Sequence, residues 1–155
     1  MMITSGESRQ EGVDESRTVT VHGSAAGFAQ DISVGRYRFT ADEPTSAGGT
    51  DTGPTPYDFL LAALGSCTSM TLALYARRHQ WPLEAVTVRL RQSKIHAADC
   101  EECETKPAML DRIELDVELS GALTQEQRAR LLEIANKCPV HRTLTSEIQT
   151  QIRLA

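Results

Sequence analysis

Two cysteines have the spacing and surroundings of reactive thiols. Cys67 lies at the centre of the uncharged run "FLLAALGSCTSMTLALYA", between Phe59 and Ala76. Cys138 directly precedes Pro139. Because proline favours the first position of a helix, Cys138 is predicted to be an N-cap, where free N–H groups stabilise a thiolate. A low-pKa thiol and a second thiol that resolves it are the minimum for peroxide reduction. For each cysteine alone the alternative is structural: a small buried hydrophobic residue, or an incidental helix start.

A buried cysteine acts as a nucleophile only if a fixed cation offsets the cost of its charge. Burial in an apolar helix is expected to raise the pKa of Cys67, and arginine is the cation that keeps its proton. Arg36 and Arg38 are two residues apart in a predicted strand and therefore project from the same face. Either is a candidate for this cation, with a solvated surface position as the alternative. Asp58 or Glu43 is a candidate carboxylate to orient it.

A second pair of cysteines permits a different function. Cys100 and Cys103 in "IHAADCEEC" form a C-x₂-C pattern, which redox centres and zinc sites share. Together with Cys138 and His141 they make a C-x₂-C … C-x₂-H set that suits tetrahedral zinc, and His96 is a further candidate ligand. The alternatives are therefore a non-enzymatic zinc-binding domain, or an exposed loop without metal.

The run around Cys67 predicts a long buried helix from Tyr57 to about His79. Pro56 suits its start and Pro82 ends it. Its apolar residues occupy the whole circumference, so it has to be covered on all sides. A membrane span is the competing interpretation, because eighteen uncharged residues fall within the roughly 17 to 25 that cross a bilayer. We favour a soluble core helix, because six of the eighteen are Gly, Ser, Cys or Thr and amphipathic strands flank the run.

The rest of the chain predicts short strands and one further helix. Thr124 and Gln127 form a capping box that opens this helix. The order of elements predicts an α+β domain over residues 17–155, behind a flexible polar tail of residues 1–16. One small domain cannot cover the first helix, so we expect a homodimer in which two such helices pack between two sheets. Alternation predicts strands in "RTVTVHG", "DISVG", "RYRFTA", "AVTVRLRQSKIH", "RIELDVELSG" and the C-terminal "IQTQIRLA".

Charge and composition argue against several partners. A net charge of -5, scattered basic residues and 5% aromatic residues do not favour nucleic acid. The start, "MMITSGESRQEGVDES", has no export-signal pattern. Four cysteines without such a signal favour a reducing compartment. We expect a cytoplasmic protein that needs no cofactor and no membrane.

The segments "GPTPYDFLLAALGSCTSMTL" and "CPVHRTL" closely resemble the family of osmotically induced and organic hydroperoxide resistance proteins, OsmC and Ohr. The resemblance extends from about Thr18 to Ala155. It implies an intertwined homodimer of antiparallel sheets around a long central helix, with active sites at the dimer interface. It also implies a peroxidase that reduces organic hydroperoxides to alcohols and is itself reduced by an external dithiol, often that of a lipoyl protein. Cys67 matches the peroxidatic cysteine, Cys138 the resolving cysteine, and Arg38 (with Arg36 as alternative) the activating arginine.

One position departs from the family pattern. The family's peroxidases have a Glu after Asn-Pro, ten residues before the reactive cysteine, where this chain has Tyr57; the nearest acid is Asp58. We therefore expect an altered arginine–carboxylate pair and a weaker peroxidase. The segment "HAADCEEC" resembles a less characterised branch of the family. The remaining alternative is a module that keeps the fold and binds a small apolar ligand.

Overall fold

The computed structural model describes residues 18–96 and 109–154. The predicted tail and the segment with Cys100 and Cys103 lie outside these residues. The chain forms two compact units, one ending at Tyr57 and the other beginning at Asp58; a single domain over residues 17–155 stays a prediction. The α+β architecture with antiparallel sheets and a long central helix is confirmed. In chain order the elements are β1 (Val19–Gly23), β2 (Gln30–Val34), β3 (Tyr37–Ala41), α1 (Pro56–Arg78), β4 (Ala85–His96), β5 (Met109–Ser120), α2 (Gln125–Ala135) and α3 (Pro139–Leu144).

The first unit contains an antiparallel sheet in the order β1-β2-β3. Val21 and Phe39 both pair with Ile32, so the three side chains share one face. A two-residue turn joins β2 to β3, and Gly35 adopts a φ of 54° there, which glycine tolerates best. Val21 and Phe39 remain about half exposed. The apolar face of this sheet is therefore largely uncovered in the protomer.

The loop after β3 is organised around one buried carboxylate. Asp42 accepts hydrogen bonds from the hydroxyls of Thr50 (2.6 Å) and Thr52 (2.8 Å). It also accepts the backbone N–H groups of Glu43, Thr50 and Thr52. The bond from Thr50, followed by those from Thr52 and Glu43, lowers the pKa of Asp42 well below its ordinary range and outweighs the effect of burial. This clasp shapes the loop that leads into α1.

Helix α1 follows the predicted bounds but is not covered on all sides. Met70 is 69% exposed and Leu74 is also exposed. By length and composition α1 could cross a membrane, and 28% of its most apolar stretch is buried in the protomer. Gly65 marks a close approach to β4, because a Cβ there would lie 2.7 Å from Cδ1 of Leu90. The fully buried side chains of α1 lie four residues apart on one face of the helix: Leu64, Thr68, Leu72 and Ala76.

The second unit packs α1 against α2 and a hairpin. Strands β4 and β5 pair along their whole length, and ion pairs cross their polar face, as between Arg91 and Asp116 at 2.8 Å. The buried core joins Leu72 of α1 to Leu131 and Ile134 of α2. The predicted capping box opens α2, with Thr124 as its N-cap, and is confirmed.

The C-terminal segment departs from the prediction. Residues 147–154 form no strand in the protomer, although their apolar residues alternate as predicted. Ile148, Ile152 and Leu154 are all exposed. A strand forms only where a neighbouring strand supplies hydrogen-bond partners, and alternation alone cannot show whether one is present.

Candidate functional site

Cys67 and Cys138, far apart in the sequence, are in contact in the structure. Their side chains are close enough for each to shift the pKa of the other, and both are free thiols. Cys67 lies in the middle of α1 and is half-buried, whereas Cys138 is fully buried. The pair therefore combines one partly exposed cysteine with one that is fully buried.

Helix packing brings Cys138 to α1. Leu131 and Ile134 of α2 lie in the same buried core as Leu72 of α1, and the chain leaving α2 reaches Cys138 three residues after Ala135. Cys138 is then the N-cap of α3, with Pro139 at the first helical position, as the sequence predicts. The contact between the sulfurs thus depends on the core that joins α1 and α2.

Hydrogen bonds lower the pKa of Cys138. Burial by itself would raise it, but the bond with Cys67 acts in the opposite direction, as do the N–H of His141, the hydroxyl of Thr68 and the N–H of Val140. The two N–H groups face the sulfur without making a full capping hydrogen bond. Together these donors outweigh burial and favour a thiolate on Cys138.

The pKa of Cys67 is shifted in the opposite direction. Burial raises it, and the hydrogen bond with Cys138 raises it further. The N–H of Val140 and the hydroxyl of Thr71 oppose this shift but do not cancel it. The pKa of Cys67 is therefore raised, whereas that of Cys138 is lowered.

Thr68 is a site residue that the sequence analysis missed. Its side chain is fully buried, and its hydroxyl donates to the Leu64 carbonyl (2.9 Å) while also lying within reach of the Cys138 sulfur. The sequence does contain a pattern that indicates this residue. A threonine four residues from Leu64 and Leu72 occupies the buried stripe of α1, where a hydroxyl needs a partner.

The two candidate arginines lie in the first unit, around the β2–β3 turn. The Arg38 guanidinium donates from Nη1 to the carbonyls of Gly35 (2.7 Å) and Tyr37 (2.8 Å). Arg36 donates from Nη2 to the Tyr37 hydroxyl (3.2 Å) and lies over its ring. Both side chains thus bind atoms of their own hairpin, and the activating role of either stays a prediction.

The candidate carboxylates lie at the start of α1 and in the loop after β3. Asp58 lies in the first turn of α1, nine residues before Cys67. Helix geometry places it on the opposite face, about 13 Å away along the axis, which argues against a role beside Cys67 of the same protomer. Glu43 belongs to the loop around Asp42 and donates its N–H to that carboxylate.

Only half of the zinc-ligand set falls within the described residues. The Cys138 side chain lies beside Cys67, and Nδ1 of His141 donates to the Asn136 carbonyl at 3.0 Å. Over residues 18–96 and 109–154 the structure has no cluster of three or more His, Cys, Asp or Glu suited to a metal. Because Cys100 and Cys103 lie outside those residues, the zinc alternative stays a prediction.

Residues 49–153 match a protein family described as OsmC-like protein. The chain belongs to the OsmC-like family. Both Cys67 and Cys138 fall within the matched residues, and the resemblance seen in the sequence is confirmed. A comparison with curated proteins finds none that matches this OsmC-like sequence.

Solved structures show the same fold at low sequence identity. An OsmC-like protein from Mycoplasma pneumoniae is 18% identical, with a TM-score of 0.64 over 85% of this chain and 89% of that chain. An organic hydroperoxide resistance protein OsmC from Legionella pneumophila is 17% identical, with a TM-score of 0.62 over 83% and 88%. The organic hydroperoxide resistance protein OhrB of Bacillus subtilis is 20% identical, with a TM-score of 0.58 over 83% and 89%. At these identities the similarity shows the OsmC-like fold alone.

Proposed function

We propose that this OsmC-like protein is a thiol-dependent peroxidase that reduces organic hydroperoxides to alcohols. The observation that carries the proposal is that folding brings the side chains of Cys67 and Cys138 close enough for each to shift the pKa of the other. Two free thiols in contact, one with access to solvent, can complete an oxidation and a disulfide step without a large rearrangement. Structural relatives named for organic hydroperoxide resistance support the same class of reaction.

The proposed reaction has two steps in the protein. The Cys67 thiolate attacks the terminal oxygen of the hydroperoxide and breaks the O–O bond, which leaves a sulfenic acid on Cys67 and releases the alcohol after protonation. Cys138 then attacks the sulfenic sulfur, forms the disulfide and releases water. An external dithiol, such as that of a lipoyl protein, restores both thiols by exchange.

The surroundings of Cys67 favour alkyl hydroperoxides over hydrogen peroxide. Helix periodicity places four apolar side chains, besides the fully buried Leu64, within about 60° of Cys67 around α1. An apolar surface beside the accessible sulfur gains from contact with an alkyl group. The four are Leu60, Ala63, Met70 and Leu74.

The same exposed surface supports a homodimer. Met70 and Leu74 are exposed on α1, and the apolar face of the β1-β2-β3 sheet is also largely uncovered. We propose that a second copy of the chain covers these surfaces and borders the active site. Arg38 is proposed as the cation that stabilises charge on Cys67. Asp58 of the second copy is proposed as the carboxylate that orients this arginine.

The test is hydroperoxide consumption combined with thiol counting. Reduced protein mixed with cumene hydroperoxide should consume it and lose two titratable thiols, because one disulfide forms. Cys67→Ser should abolish consumption. Cys138→Ser should permit one turnover and leave a Cys67 sulfenic acid that a dimedone adduct reveals. Consumption that persists unchanged in Cys67→Ser would falsify the proposal.

Matched variants separate this function from the others. The double variant Cys100→Ser/Cys103→Ser keeps the proposed pair and should retain full activity. If it loses activity while purified wild type carries about one zinc per chain, the metal-binding alternative is correct. Arg38→Met should slow Cys67 oxidation, whereas Arg36→Met, in the same hairpin, should not.

A further inference from the structure

We propose that the external dithiol attacks the sulfur of Cys67 in the Cys67–Cys138 disulfide, and that Cys138 is the leaving sulfur. This role of Cys67 rests on the proposed peroxidase function, which forms the disulfide but leaves open which of its two sulfurs the reductant attacks. Cys67 is then the member of the pair that meets both outside reagents, the hydroperoxide and the dithiol. Cys138 exchanges bonds with Cys67 alone.

The two cysteines differ in how far solvent reaches them. Cys138 has a relative exposure of 0%, whereas Cys67 is partly exposed. Ala63, one turn before Cys67 in α1, is exposed as well. Because side chains four residues apart in a helix are neighbours, an open surface adjoins Cys67. A reductant in solvent can therefore reach the pair from the Cys67 side.

Backbone hydrogen bonds hold Cys138 at its buried position. Its N–H donates to the carbonyl of Ala135 at the end of α2 (3.2 Å), and its carbonyl accepts the N–H of Arg142 in α3 (3.0 Å). The whole residue is buried and its backbone is bonded on both sides, so exposing its sulfur to a reductant requires local opening of this segment. Attack on Cys67 requires no such opening.

The geometry of thiol–disulfide exchange adds a second constraint. The attacking sulfur approaches along the line of the bond that it breaks, from the side opposite the leaving sulfur. For attack on Cys67, this approach comes from the side away from the buried Cys138. For attack on Cys138, it comes from the side away from Cys67, through the interior in which Cys138 is buried. Burial therefore leaves the first route open and blocks the second.

The electrons and protons of the exchange balance without a further reagent. A thiolate of the dithiol forms a bond to the Cys67 sulfur, the bond between the two cysteines breaks, and its electron pair goes to the Cys138 sulfur. That sulfur takes up the proton that the attacking thiol released. The second thiol of the reductant then attacks the reductant sulfur that is bound to Cys67, which closes the disulfide of the reductant and frees the Cys67 thiol.

A reductant that stops at the mixed disulfide identifies the sulfur attacked. In Cys100→Ser/Cys103→Ser protein the proposed pair supplies both remaining cysteines, and diamide oxidises this pair to the disulfide without peroxide. Dihydrolipoamide methylated on one sulfur is then added, the reaction is quenched early with acid, and the freed cysteine is alkylated in urea at weakly acidic pH before peptide mass analysis. We expect the reductant on Cys67 and the alkyl group on Cys138, with the reverse product at least about tenfold rarer.

Unfolding supplies the control, because both sulfurs are accessible in urea. The same reaction of the same disulfide in urea should give the two mixed disulfides in comparable amounts. Reductant found mainly on Cys138 in the folded protein overturns the inference, as does a preference for Cys67 that persists in urea. Protein that forms the disulfide with diamide but consumes no hydroperoxide overturns the proposed function alone, and protein that forms no disulfide between the pair overturns both.

A charge beside Cys67 tests the direction of approach. Ala63→Glu places a carboxylate one turn from Cys67 and should slow reduction by anionic dihydrolipoate about threefold relative to neutral dihydrolipoamide. The ratio of the two rates is measured on one protein, so any effect on stability or assembly cancels. Ala129→Glu adds the same charge at an exposed position of α2 and should leave the ratio unchanged. A ratio that is also unchanged in Ala63→Glu contradicts approach from the Cys67 side.

Discussion

At the residue scale, hydrogen bonds outweigh burial in setting the direction of the pKa shift of Cys138 and of Asp42. Cys138 is more buried than Cys67, yet its pKa is lowered while that of Cys67 is raised. Burial acts on both sulfurs in the same direction, so the difference comes from the donors that converge on Cys138. The more exposed member of such a pair need not be the one with the lowered pKa.

The same balance makes Asp42 a source of stability that depends on pH. Its carboxylate accepts five hydrogen bonds, which lower its folded-state pKa below the ordinary value of 3.8. A depressed folded pKa contributes stability above the unfolded value and loses it as pH falls toward the folded value. We expect Asp42→Asn to lower the urea midpoint at pH 7 and the difference from wild type to shrink below about pH 4.

Urea unfolding of a matched variant checks this interpretation. Asp51→Asn likewise replaces a carboxylate by an amide in the same loop. Asp51 is exposed, and its φ of 55° is one that asparagine tolerates. It should leave the midpoint and its pH dependence unchanged. If Asp42→Asn and wild type have parallel pH profiles, the carboxylate does not stabilise the loop as described.

At the element scale, one glycine sets how closely α1 approaches β4. A Cβ at Gly65 would lie 2.7 Å from Cδ1 of Leu90, so Gly65→Ala overpacks this contact at a cost of about 1 to 3 kcal/mol. Alanine also favours the helix by about 1 kcal/mol. We expect a net loss of about 1 kcal/mol in the free energy of unfolding.

The sign of the effect should reverse when Leu90 is shortened. In a Leu90→Ala background the overpacking is removed, so Gly65→Ala should gain about 1 kcal/mol from helix propensity. A thermodynamic cycle of the four proteins by chemical unfolding measures both values. Equal effects of Gly65→Ala in the two backgrounds are the contrary outcome, since they show that the two residues do not interact.

At the scale of the whole molecule, the exposed apolar residues of α1 and of the C-terminal segment are the features that favour a second chain. A soluble helix that is apolar on all sides has to be covered, yet Met70 is 69% exposed in the protomer. The unpaired C-terminal segment, with its exposed Ile148, Ile152 and Leu154, is suited to pair with a strand outside the protomer. Both observations favour the proposed homodimer.

A charge on α1 should therefore disrupt assembly. Met70→Glu places a carboxylate in the proposed interface, and we expect the dimer to dissociate about 100-fold more readily. Ser93→Glu adds the same charge on the exposed polar face of β4, opposite Arg112, and should not change the dimer. Analytical ultracentrifugation measures both, and a wild type that is monomeric at all concentrations contradicts the proposal.

Local patterns were sufficient to predict most of the elements. The bounds of α1, the pairing-competent strands β4 and β5, the capping box at Thr124 and the N-cap at Cys138 all follow from residues within a few positions of one another. Periodicity and capping are local properties, so the sequence by itself determined them. It also identified the two cysteines, because their immediate neighbours are unusual, and pointed to the family to which the chain belongs.

Only the tertiary structure decided how these residues act on one another. The contact between Cys67 and Cys138 depends on the packing of α2 on α1, and the direction of each pKa shift depends on donors such as Thr68 that come from different elements. The hydrogen bonds around Asp42 and the absence of a strand over residues 147–154 also depend on tertiary contacts. Each depends on atoms that approach through folding from distant points of the chain, and periodicity within a segment contains no information about them.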